Sequence, residues 1–102
     1  MSLDFSALGQ NGSPEKTVPL GLHLHHELIA SATSLVLARL LEFDDYYKDV
    51  EIAVVDLPSL AEEVATMRAR GSSIGLQRFL DDLTSLVSYA LSNGKSLHAI
   101  AD

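Results

Sequence analysis

The chain has no cysteine. A disulfide scaffold, a thiol nucleophile, a Cys-based zinc site and an iron–sulfur cluster are therefore excluded. It also has no long apolar run. The richest stretch, residues 28–41, is interrupted by Ser31, Thr33, Ser34 and Arg39 and is too short and too polar to span a membrane. The N-terminal MSLDFSALGQNGSPEK lacks a basic region followed by an apolar one, so no secretory signal is expected. Basic residues are few: seven Lys plus Arg against fourteen Asp plus Glu among 102 residues, a net charge of −7. Only Arg68 and Arg70 lie close together, whereas phosphate neutralisation needs clustered cations. These absences lead to the expectation of a soluble cytoplasmic protein with no membrane or nucleic-acid partner. The acid excess favours solubility and can steer a basic protein into contact.

Apolar residues are plentiful, at 47% of the chain, and periodic, which fits one folded domain. Gly9, Asn11-Gly12 and Ser13-Pro14 are breaker signals, so residues 1–18 are expected to be mostly irregular and residues 19–102 to form the domain. Leu28, Ile29, Ala32, Leu35, Val36, Leu40 and Phe43 recur at helical spacing and predict one helix over about 22–43. Ala30, Leu37, Ala38 and Leu41 widen its apolar surface beyond a single stripe, as in a helix that is central or shared with another chain.

Residues 44–57 allow two readings. Tyr46, Val50, Ala53 and Leu57 share a helical face, and this is the favoured one. Val50, Ile52 and Val54 alternate as in a short strand, which would need a partner from another chain. Ser59 and Glu62 have the spacing of a capping box, and Gly71 is a stop. Ser72 or Ser73 then caps a strongly amphipathic helix carrying Leu76, Phe79, Leu80, Leu83, Leu86, Val87, Ala90 and Leu91, which ends at Asn93-Gly94. Lys95 to Ala101 is expected to add a final turn. The sum is an all-α antiparallel bundle of three to four helices, with α+β and one short strand near 50–55 as the alternative.

His23, His25, His26 and Glu27 gather at the start of the first helix. His23, His26 and Glu27 have the i, i+3, i+4 spacing that lets helical ligands converge on an ion, while His25 turns to the apolar side. The His25-His26-Glu27 run resembles hemerythrin-like cation-binding domains, which are helical bundles. Such domains need more ligands on later helices. Here those offer only His98, with Asp81 and Asp82 lacking a neighbouring His, so no ligand role is carried over and no cofactor is expected.

The densest charge is Glu42, Asp44, Asp45, Asp49 and Glu51, broken by Tyr46, Tyr47 and Lys48. Tyrosines among carboxylates suit a docking patch for a basic partner. The glycines of Gly71-Ser72-Ser73-Ile74-Gly75 match no phosphate-binding fingerprint, and no nucleophile elbow occurs. The expected function is a small non-enzymatic protein-interaction module of the immunity, antitoxin or adaptor kind. It would self-associate as a dimer or dock a basic protein through Leu37, Leu41, Asp44, Asp45, Tyr46, Tyr47 and Asp49. The alternative is a binding bundle that takes a small ligand in an apolar pocket, or a metal on His23, His26 and Glu27.

Overall fold

Leu3, Phe5 and Ala7 alternate with Asp4, Ser6 and Leu8, and this period of two builds a central strand. The computed structural model of the protein describes residues 2–8 and 14–101. In chain order it contains β1 (Leu3–Leu8), β2 (Pro14–Leu20), α1 (Leu22–Leu35), a 3-10 turn (Leu40–Phe43) and β3 (Val50–Ile52). A second 3-10 turn (Val54–Asp56), α2 (Leu57–Arg70), α3 (Ile74–Ser92) and β4 (Leu97–Ala101) follow. The strands form one antiparallel sheet in the order β2-β1-β4-β3.

The protein is thus not the expected all-α bundle but three helices with a four-stranded antiparallel sheet. Residues 3–8 and 14–20 are strands rather than irregular chain. The turn signals at Gly9 and Asn11-Gly12 lie outside the described residues. The end of the chain forms β4 in place of a helical turn, and β4 is the partner that β3 needs. Val50 and Ile52 are therefore strand residues, as in the less favoured reading, while Val54 opens the second 3-10 turn.

One face of the sheet is apolar. Leu3, Phe5, Ala7, Leu20, Ile52, Leu97 and Ala99 are buried there, and α3 packs against β1 and β2. Phe5 sits at the centre of a ring cluster, edge to face with Phe43 (centroids 4.9 Å) and Phe79 (5.4 Å). The opposite face carries the alternate residues. Register sets Thr17, Ser6, His98 and Glu51 side by side across all four strands.

The expected helix over 22–43 ends early, at Leu35. Val36 takes the left-handed conformation (φ 57°), with the Leu37 N–H bonded to the Ala32 carbonyl (2.9 Å) and the Val36 N–H to that of Thr33 (3.3 Å). This is a Schellman ending, with Ala32 and Leu37 both buried across it. A β-branched residue there is strained by roughly 1–2 kcal/mol, and glycine is the usual occupant. The chain is caught again by Glu63 of α2, whose carboxylate accepts from the N–H groups of Arg39 (3.1 Å) and Leu40 (3.0 Å) at the start of the 3-10 turn. Leu37, Leu40 and Phe43 then enter the protein's own core.

α2 begins at Leu57 with Pro58 in its first turn, so Ser59 lies inside the helix instead of capping it. α3 is capped by Ser73, whose Oγ accepts from the Leu76 N–H (3.2 Å). No helix among the described residues is long and apolar enough to cross a membrane.

Candidate functional site

Leu22, His25, His26, Ile29 and Ala30 follow the spacing of one helical stripe, and on α1 they form one wall of a cleft. Asp44, Asp45, Tyr46 and Tyr47 form the other. The reversal at Val36 brings these residues together. A helix continued to residue 46 would carry Tyr46 about 30 Å from His25 at the usual rise. The cleft is open to solvent and has a volume of about 710 Å³.

His25 is 3% exposed and joins the two walls. Its Nε2 lies 2.7 Å from the Phe43 carbonyl oxygen. The carbonyl only accepts, so Nε2 carries the hydrogen of this bond, and in the neutral ring Nδ1 is then an acceptor. Nδ1 is buried and has no hydrogen-bond partner among the described residues. The His25 ring meets Tyr46 edge-on (5.0 Å, 61°), and Tyr46 meets Tyr47 at nearly a right angle (5.3 Å, 88°). His26 adds a fourth ring, 6.3 Å from His25. The series grades outward, from Tyr46 at 5% exposure to Tyr47 at 65%. The Tyr47 N–H donates to the Asp45 carboxylate (2.9 Å), which fixes the bend that presents Tyr47.

Neither Asp44 nor Asp45 forms an ion pair among the described residues. Most other acids are engaged. Arg39 takes Glu42 (2.8 Å) and Asp56 (3.2 Å), and the bond to Glu42 raises its guanidinium above the ordinary value. Arg68 takes Asp81 at 2.8 Å. Asp49 accepts from the Ala101 N–H (2.8 Å), tying the end of β4.

The residues expected at a protein interface divide. Asp44, Asp45 and Tyr47 are exposed at the cleft, and Asp49 is exposed but occupied by β4. Leu37 is 8% exposed and Leu41 packs on the core, so these two face the protein's own interior, while Tyr46 is buried within the cleft wall. Of the apolar residues over 28–43, Leu28, Ala32, Leu37, Leu40 and Phe43 are buried in this chain's own core, while Ala30, Val36 and Ala38 are exposed.

The metal alternative loses its carboxylate. Glu27 accepts from the Ser73 hydroxyl (2.6 Å) and the Ser73 N–H (3.1 Å), bonds that hold its carboxyl below the usual range and tie α1 to the start of α3. His98 stands on β4, 4.0 Å from Glu51, rather than with the α1 histidines. Among the described residues no group of three or more His, Cys, Asp or Glu is placed to hold a metal ion.

Ser6, His98 and Glu51 make a Ser–His–acid row on the sheet, but Ser6 is 1% exposed and its hydroxyl lies 3.2 Å from that of Thr17. No hydrogen bond links it to His98 among the described residues. Sequence reasoning singled out both walls of the cleft separately. What it missed was Leu22, Ile29 and Ala30 as lining and the meeting of the two walls, for which the only signal was their common stripe with His25 and His26. No protein-family model, curated protein or solved structure matches the chain.

Proposed function

We propose that this domain is a non-catalytic binding module that takes a small ligand in the cleft between α1 and residues 44–47. One observation carries the reading. An apolar helical stripe and a graded series of rings converge on a single concavity of about 710 Å³, within the range of small-molecule sites. Such sites combine an apolar body with a few placed polar groups. Here Leu22, Ile29 and Ala30 supply the first, and His26, Asp44 and Asp45 the second. The His25 bond to the Phe43 carbonyl fixes the walls before any ligand arrives, which lowers the ordering cost of binding.

The test is a titration of isotope-labelled protein with small aromatic compounds, followed by backbone amide resonances. Shifts confined to Leu22, His26, Ile29, Ala30, Tyr46 and Tyr47 are the expected result. Shifts scattered over the surface, or grouped at the second cleft between β2 and α3 beside Lys16 and Asp82, would contradict the reading.

A further inference from the structure

We infer that the ligand of this cleft is a small organic cation, an ammonium group on an apolar or aromatic body. The inference rests on the cleft being a binding site and adds the chemistry of what enters it.

Three features favour positive charge. The first is the rings. Tyr47 is 65% exposed and stands edge to face with the buried Tyr46, and an aromatic face attracts a cation through its quadrupole. The fold already uses this contact elsewhere, where the Lys16 ammonium lies 4.7 Å from the centroid of Tyr89. Tyr47, the outermost ring of the cleft, has no cation of this chain over it among the described residues.

The second feature is the carboxylates. Among the described residues Asp44 and Asp45 line the same cleft with no ion pair, and Lys48, close by in sequence, pairs with neither. An anionic ligand would meet two like charges, and a neutral one would leave both without a counter-charge. The third is the field. A net charge of −7 on 102 residues raises the local concentration of cations around the whole molecule. The apolar stripe of Leu22, Ile29 and Ala30 limits the cation to one with an organic body, because a bare metal ion gains nothing from it.

Benzyltrimethylammonium, benzyl alcohol and phenylacetate share an aromatic body and differ in charge, and each is titrated into the intact chain by the same amide readout. The cation is expected to shift the cleft resonances and to bind about tenfold more tightly than the alcohol. Phenylacetate is expected to leave those resonances in place. Asp44→Asn combined with Asp45→Asn should cut the preference for the cation about threefold or more and leave the alcohol unchanged. Asn keeps the acceptor that Tyr47 uses. Tyr47→Ala should weaken the cation about threefold to tenfold, and Tyr47→Phe should retain it. Tyr47 is mostly exposed, so thermal melts of these variants should match the parent.

If the alcohol binds in the cleft as tightly as the cation, or the double Asn variant keeps the preference, the charge inference is overturned while the cleft stands as a site. If none of the three compounds moves the cleft resonances, both readings are overturned.

Discussion

Two groups of rings in this protein touch edge to face, and they have opposite fates. Phe5, Phe43 and Phe79 form a closed set in which every ring is buried. His25, Tyr46 and Tyr47 form an open series that begins in the core and ends in solvent. Phe43 belongs to both, giving its ring to the first group and its carbonyl oxygen to His25 of the second. The same contact geometry therefore serves cohesion where every ring is buried and leaves a usable surface where the series stops short. The difference lies in burial and in the polar atoms carried along, not in the rings' mutual angles.

The sharpest way to break this contrast is Phe5→Ala, which empties the centre of the closed set. It should cost about 3–5 kcal/mol in chemical denaturation. A loss under about 1 kcal/mol would mean that the set is not the cohesive one. Next comes His25→Ala, which strands the Phe43 carbonyl and removes the buried base of the open series. The expected cost is about 1–3 kcal/mol, with Tyr46 and Tyr47 resonances moving while those of Phe79 stay.

Val36→Gly tests the corner that brings the two groups together. It relieves about 1–2 kcal/mol of left-handed strain, offset by the extra freedom of unfolded glycine, so a net gain of about 0.5–1 kcal/mol is expected. The Val36 side chain is 80% exposed and loses little packing. A destabilised glycine variant would show that the corner is not strained.

The smallest effect is that of Glu27→Gln, which loosens α1, the helix of His25, from α3, the helix of Phe79. Ser73 lowers the Glu27 carboxyl in the folded state, so its contribution is full above the ordinary carboxylate range and lost as pH falls through the lowered value. The parent should exceed the variant by about a few tenths of a kcal/mol at neutral pH, because solvent screens so exposed a group. Denaturation curves of the two should converge in acid, and a gap that widens there would reverse the assignment.

Elements governed by local chemistry were legible in the sequence. Gly71, Ser73 and Asn93-Gly94 bound α2 and α3 as read, since caps and stops act within a few residues. The sheet was not legible. β1 contains no β-branched residue, and Ile100 of β4 points away from the core, so propensity is silent. The partners are also far apart in sequence: Phe5 pairs with Ala99. The break at Val36 defied the usual signal because a valine stands where glycine is expected, and Glu63 of another helix secures the turn. Everything about the cleft beyond its separate walls follows from that break. His25 was read correctly as facing the apolar side, but its partner, a backbone carbonyl 18 residues on, leaves no trace in residue identity.

The position of β4 between β1 and β3 also sets an order of assembly. During synthesis β1 and β2 can meet early, because only a short connection separates them. Residues 50–52 have no neighbouring strand until residues 97–101 have been made, and the pairing of those residues with β1 spans most of the polypeptide. A nascent chain stopped before Leu97 therefore holds two unfinished strand margins, and the sheet is completed from its middle by its latest piece.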